Sequence, residues 1–164
     1  MIRQATKKDL SKIAELATNI YSSSATLLKK EFLEQLEQSD CAIFVKEVDK
    51  KVVGFAECGL RHDYVEGTKT SPVGYFEGVY VSPEHRKNGF AKELLTTCED
   101  WAKNKGCSEF ASDCEYCNLN SQAFHKNVGF QEANRIVCYT KKLKNKWGIY
   151  DRKTRRNSVK WKRG

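Results

Sequence analysis

The run Val79-Tyr80-Val81-Ser82-Pro83-Glu84-His85-Arg86-Lys87-Asn88-Gly89-Phe90-Ala91-Lys92-Glu93-Leu94-Leu95 decides how the chain is read. A stretch rich in Val and Tyr stops at Ser82-Pro83, a polar turn follows, and an apolar pattern of helical spacing opens at Gly89. The backbone N–H groups of a helix's first turn have no partner within the helix, and the helix dipole is positive there. A pyrophosphate fits that place if it can come close to the backbone. Gly89 removes the side chain at the point of approach, Ala91 keeps a neighbouring position small, and Arg86 and Lys87 add positive charge. The residues alone leave two readings open: a phosphate cradle, or an ordinary helix N-terminus behind a solvated basic turn.

Upstream of that turn, residues 74–81 read as a strand, preceded by a polar loop over 61–73 that contains Gly67 and Pro72. Residues 41–48 and 51–60 are rich in Val, Ile and Phe around the polar pair Asp49-Lys50, so they read as a hairpin. Residues 2–5 read as a short first strand. Thr6-Lys7-Lys8-Asp9 then reads as a capping box, its hydroxyl accepting from a first-turn N–H and its carboxylate reaching back. Leu10, Ile13, Leu16, Ala17 and Ile20 form the stripe of a first helix. A second, over 25–38, would bury Leu28, Phe32, Leu33 and Leu36. Downstream, Ala91, Leu94, Leu95, Cys98, Trp101 and Ala102 give a helix ended by Gly106. Residues 109–113 read as a strand, 119–128 as a helix stopped by Gly129, and 135–143 as a long final strand. Strands that pair as a hairpin and then alternate with helices predict an α/β fold, a single domain built on one mixed sheet covered by helices.

The chain has 164 residues and a formal net charge of +8. Residues 1–143 hold 20 basic and 20 acidic side chains, and the excess lies wholly in residues 144–164, where nine Lys/Arg face Asp151 alone. The domain itself is neutral, so the basic balance says nothing about its partners. Trp147, Tyr150 and Trp161 interleave with the basic residues of the tail, a pattern that can stack on single-stranded nucleic acid. The plainer reading, adopted here, is a disordered or appended extension after a domain of residues 1–143. No run of 18 apolar residues occurs, so no membrane span is expected. Residues 1–9 lack the apolar core of a secretory signal. The seven cysteines then point to free thiols in a reducing, cytoplasmic setting. Cys114-Glu115-Tyr116-Cys117 is a single C-x-x-C without a second ligand pair, so no metal is expected.

Arg86-Lys87-Asn88-Gly89-Phe90-Ala91, placed after a strand, resembles the acyl-CoA signature of the GNAT acetyltransferases, Arg/Gln-x-x-Gly-x-Gly/Ala. Asn118-Leu119-Asn120-Ser121-Gln122-Ala123-Phe124-His125-Lys126-Asn127-Val128-Gly129-Phe130 is similar to that family's second motif, in the family's order and spacing. Residues 64–68, 71–81, 107–113 and 124–130 resemble the aminoglycoside 6′-N-acetyltransferase branch. The resemblance covers residues 1–143 and implies the GNAT acyl-CoA N-acyltransferase fold with acetyl-CoA as co-substrate. It implies transfer to the 6′-amine of an aminoglycoside by direct attack in a ternary complex, hence antibiotic resistance, in a cytoplasmic homodimer with no membrane or nucleic-acid partner. The alternatives are the same fold acting on another amine (a polyamine or a protein N-terminus), or a non-catalytic acyl-CoA-binding module with a nucleic-acid-binding tail. By position, the cofactor-binding residues implied are Val79, Tyr80, Val81, Arg86, Lys87, Asn88, Gly89, Phe90, Ala91, Lys92 and Asn118.

An aliphatic ammonium, with a lysine-like pKa of about 10, must lose a proton before it attacks a thioester, so a carboxylate or an ordered water must accept it. Glu77 is a charge in the middle of an otherwise apolar strand, and strict alternation puts it on one face with Val79 and Val81. That face is either the solvated side of an edge strand or, as the resemblance implies, the side of the substrate. Asp113 ends the following strand, where ligands gather in open sheets. It is either a turn-capping residue or the second carboxylate of an anionic pocket, and the resemblance favours the pocket. Glu132 is a third candidate carboxylate, while Tyr21 and Tyr64 are candidate pocket walls or core aromatics. A backbone N–H within 79–81 is the natural donor to the tetrahedral oxyanion, and the same segment would pair with the pantetheine arm in the manner of a strand. His125 stands where many GNAT enzymes carry Tyr. It is either the general acid for the CoA thiolate, whose ordinary pKa is about 8.5, or a helix-surface residue. Asn118 reads as a helix N-cap and, by resemblance, also as a contact to CoA.

Overall fold

Asp49 and Lys50 have φ of 48° and 61°, the left-handed pair that lets a two-residue hairpin turn match the twist of its strands. That turn sets Val48 opposite Lys51 and with it the register of β2 (Cys41–Val48) against β3 (Lys51–Arg61). The computed structural model describes residues 1–143, and the expectation about residues 144–164 lies outside them. β1 (Ile2–Gln4) adds to β2, and β4 (Val73–Val81) adds to β3, all antiparallel. β5 (Phe110–Ser112) closes the five-stranded sheet in parallel with β4, in the order β1-β2-β3-β4-β5. The mixed sheet read from the sequence is present.

Helices cover both faces. α1 (Leu10–Ala17) and α2 (Ala25–Leu36) lie on one, where Leu10, Ile13, Leu28 and Phe32 close over Ile43, Val45 and Phe55. The Phe32 and Phe55 rings meet edge to face at 5.9 Å. Burying each such side chain contributes on the order of 1.5–3 kcal/mol before entropy is charged against it. On the other face, Leu94, Leu95 and Cys98 of α3 (Phe90–Asn104) pack on Ala56, Cys58, Phe76 and Val81. α4 (Leu119–Asn127) adds Phe124, whose ring stacks on Phe76 at 6.5 Å.

The chain departs from its sequence reading at both ends. The Asp9 carboxylate does reach back, to the Thr6 N–H at 2.8 Å, but the Thr6 hydroxyl donates to that carboxylate instead of capping the first turn. Arg3 takes both Asp9 oxygens at 2.8 Å and holds its carboxyl well below the usual range, so the box serves to tie β1 to the start of α1. Residues 135–143 form no strand. They run exposed, with Ile136, Val137, Tyr139 and Leu143 at 68–90%. Their pattern carries strand propensity, but a strand needs a ladder partner, and none stands beside them among the described residues.

Candidate active site

The strand that carries Glu77 does not alternate through it. Phe76 pairs with Cys58 and Gly78 with Glu57, so Glu77 is an extra residue, a β-bulge. The bulge reverses the facing of the strand. Val79 and Val81 pack with Phe76 on the α3 side. The Glu77 carboxylate instead comes within 3.7 Å of where a Cβ on Gly59 would stand, and Gly59 pairs with Cys41, on the α1–α2 side. The one-face expectation for Glu77, Val79 and Val81 is thus corrected, because a bulge adds a residue without adding a rung.

Around Glu77 the groups are mostly acidic. The Arg61 guanidinium donates to its Oε1 at 2.5 Å and lies 4.6 Å from the centre of the Tyr75 ring. The Tyr75 hydroxyl in turn donates to Asp113 Oδ1. Burial pushes the Glu77 carboxyl up, Arg61 pulls it down, and Asp113 pushes it up again. Behind lies Glu57, buried, accepting from the Tyr21 hydroxyl and from Gln35 Nε2 at 3.1 Å. Burial raises its pKa to about 7, against those two hydrogen bonds. The Tyr21 hydroxyl also lies 3.5 Å from the Glu77 carbonyl oxygen.

Beside this pocket the sheet opens. β5 pairs with β4 only from Gly74 to Phe76, and the Ser112 hydroxyl closes the last rung by donating to the Phe76 carbonyl at 2.9 Å. From Glu77 to Val81 the outer edge of β4 has no strand beside it among the described residues. Ser82 donates its N–H inward to Val53, at 2.9 Å, so alternation turns the N–H groups of Val81 and Val79 toward that open edge. A short 3-10 turn (Pro83–His85) follows, and Arg86 reaches back to donate to the Val81 carbonyl at 3.0 Å. Gly89 then starts α3 at φ 77°, with no side-chain cap and nothing within 4 Å of where its Cβ would be. That is an uncovered helix N-terminus, open to an anion. A groove of about 460 Å³ continues from it along α3, lined by Ile2, Gly89, Lys92, Glu93, Thr96 and Thr97.

The family model of the acetyltransferase (GNAT) family matches residues 9–130. This chain belongs to the GNAT acetyltransferase family. An aminoglycoside N(6′)-acetyltransferase type 1 of Acinetobacter haemolyticus is 37% identical over 142 residues, which are 87% of this acetyltransferase and 98% of that protein. A solved aminoglycoside 6′-N-acetyltransferase, AAC(6′)-Ig of the same organism, shares the fold at a TM-score of 0.84 and 36% identity, over 87% of this chain and 99% of that one. AAC(6′)-Iy in complex with the bisubstrate analogue CoA-S-monomethyl-acetylneamine matches at a TM-score of 0.82 and 35% identity, over 87% and 98%.

Glu77 and Asp113 lie close enough for their charges to interact, and the open edge of β4 runs from Glu77 past Val79 and Val81 toward the turn that starts α3. Tyr21 is a core aromatic whose buried ring points its hydroxyl at Glu57 and borders the pocket, 3.5 Å from the Glu77 carbonyl oxygen. Tyr64 is 78% exposed and donates to Glu66 at 3.2 Å. Glu132 is engaged by Arg135, which lies over Tyr116. Asn118 does cap α4, accepting from the Ser121 N–H at 3.0 Å. His125 has both ring nitrogens engaged, Nδ1 with the Ser121 carbonyl at 2.7 Å and Nε2 with Ser112 Oγ at 2.9 Å. Sequence reasoning passed over Glu57, Arg61 and Tyr75. Glu57 offered the same signal as Glu77, a carboxylate inside an apolar strand. Among the described residues no cluster of His, Cys, Asp and Glu could hold a metal ion, and no helix is long and apolar enough to cross a membrane.

Proposed function

We propose that this acetyltransferase moves the acetyl group of acetyl-CoA to the 6′-amine of aminoglycoside antibiotics and thereby inactivates them. The observation that carries the reading is the juxtaposition of an open β4 edge, leading to an uncapped helix N-terminus, with a carboxylate pocket at Glu77 and Asp113. The match to 98% of an aminoglycoside N(6′)-acetyltransferase supports the same substrate class. Acetyl-CoA lays its pyrophosphate on the first turn of α3 and its pantetheine arm along Val79–Val81, with Arg86–Lys92 as the cradle and Asn118 nearby. Glu77 and Asp113 hold the cationic acceptor. Glu77, directly or through a water, takes the proton from the 6′-ammonium. The amine then attacks the thioester carbonyl and the C–N bond forms. The oxyanion is held by N–H groups of the β4 edge, the C–S bond breaks, and the thiolate leaves as the nitrogen sheds its second proton, which the thiolate or solvent takes up. His125, its ring tied to β5 and to α4, positions the two elements against each other in this scheme rather than donating to the thiolate.

The domain of residues 1–143 carries this activity in the proposal. We place it in the cytoplasm because all seven thiols, the exposed Cys117 and Cys138 among them, are free. We also read it as a homodimer, since the exposed apolar segment 135–143 is suited to a second copy. Sedimentation should then show a dimer that a charged replacement of Ile136 and Val137 dissociates.

The function is tested with paired aminoglycosides that differ only in a 6′-amine or a 6′-hydroxyl, with CoA release as the readout. The amine should turn over and the hydroxyl should not, since a carboxylate relays a proton from an ammonium but cannot ionise an alcohol. Equal release from both would place the acceptor at another amine. Polyamine turnover above that of the 6′-amine would overturn the substrate class.

A further inference from the structure

We propose that Arg61 is a built-in stand-in for the substrate: its guanidinium holds the ammonium position at Glu77 until the acceptor amine binds by displacing it. The inference rests on the reading above that Glu77 faces the acceptor, and it adds what the site does before the acceptor arrives. Three observations carry it. The guanidinium sits 2.5 Å from the Glu77 carboxylate and 4.6 Å from the Tyr75 ring, whose hydroxyl is committed to Asp113. One cation therefore lies between the two carboxylate positions that a polycation would span. Arg61 is also the last residue of β3, and its side chain is 47% exposed, so it can swing into the loop that follows without disturbing the core. Finally, Glu57 is already satisfied by Tyr21 and Gln35, which leaves Glu77 as the carboxylate that depends on Arg61.

The exchange conserves charge. An arginine cannot act as the base's proton donor at any working pH, so it keeps Glu77 ionised without supplying the proton that catalysis must remove. An arriving ammonium replaces that positive charge and brings the proton with it. Because half-exposed ion pairs are weak, the competition is mild, on the order of two- to fivefold in acceptor affinity. The groups facing Glu77 are Arg61 and Glu57 of β3, Tyr75 of β4, Asp113 beyond β5, Cys41 of β2 and Tyr21 beyond α1, with Glu31 of α2 acting on Glu57 and Tyr21. Of these only Arg61 carries a positive charge. Without it, burial and the neighbouring acids act on Glu77 unopposed, and its pKa rises in the free enzyme. In the ternary complex the ammonium has replaced Arg61, so the same change has no effect there.

The test compares Arg61→Met with Arg61→Lys, which keeps the charge, and with Arg61→Gln as a second neutral variant should the first be insoluble. Steady-state rates are taken with a 6′-amino aminoglycoside, and acetyl-CoA affinity serves as the check on folding. At about pH 8 the neutral variants should lower the acceptor KM two- to fivefold while the lysine variant stays near the parent. The acid limb of kcat/KM, which reports the free enzyme, should move to higher pH, and the acid limb of kcat should stay in place. An acceptor KM unchanged or raised in the neutral variants, or both limbs moving together, overturns the proposal. Glu77→Gln, run beside them by calorimetry, separates the failures. If it binds the aminoglycoside as tightly as the parent, the reading of Glu77 falls and Arg61 falls with it. If it weakens binding while the neutral Arg61 variants fail to tighten it, only the stand-in role is lost.

Discussion

The N-termini of α2 and α3 solve the same problem in opposite ways. At α2, Ser24 holds an extended backbone and its hydroxyl accepts from the Leu27 N–H at 3.3 Å, so the chain satisfies its own first turn. At α3 the equivalent place is Gly89, left-handed at φ 77° and without a side-chain cap, after a second left-handed residue, Lys87 at φ 63°. The first arrangement stabilises a helix, and the second forgoes that stabilisation to leave N–H groups facing outward. α4 lies between, with Asn118 capping its helix and, in the proposed scheme, also meeting CoA. In the proposed reading, the helix end that serves the fold alone closes on itself, and the one that receives the pyrophosphate stays open.

That contrast breaks most visibly at Gly89. Gly89→Val places a β-branched side chain at a positive φ and in the open approach to the α3 amides. Acetyl-CoA affinity should fall by about 100-fold in calorimetry, roughly 2.7 kcal/mol, and stability by about 1–2 kcal/mol. Affinity that survives would mean the pyrophosphate lies elsewhere. The contrast sharpens with alanine at the two self-capped helices. Asn118→Ala should cost about 1 kcal/mol in denaturant unfolding and weaken acetyl-CoA severalfold. Ser24→Ala should cost about 1 kcal/mol or less with acetyl-CoA affinity unchanged. Equal effects on acetyl-CoA from both would remove the distinction between structural and ligand-facing caps.

The elements that could be read from the residues are those set by local rules. The Asp49-Lys50 turn and the helix start at Gly89 each depend on a few adjacent residues, and both fall where the sequence places them. The facing of Glu77 was not legible. It depends on how β4 is registered on β3, and one unpaired residue inverts it. Arg61 escaped for the same reason, since sixteen residues of chain separate it from Glu77 and only the β3–β4 pairing brings them together. His125 was visible as a departure from the family's Tyr, but its engagement with Ser112 arises only when α4 packs on the end of β5. Residues 135–143 show the opposite failure, because their β propensity was plain and no partner strand answered it.

The early parting of β5 from β4 also leaves a mark that can be read without any turnover. The amides of Val79 and Val81 face the open edge, while the N–H groups that donate across to β3 lie inside the ladder. Deuterium should therefore enter these two amides quickly, as it would at a fraying margin, although they sit beside the centre of the sheet. A cosubstrate arm laid along them, as proposed, would act as a borrowed strand and slow that entry. The pattern of exchange on β4 would thus trace the path of the bound molecule, one amide in every two, along an edge with no strand beside it among the described residues.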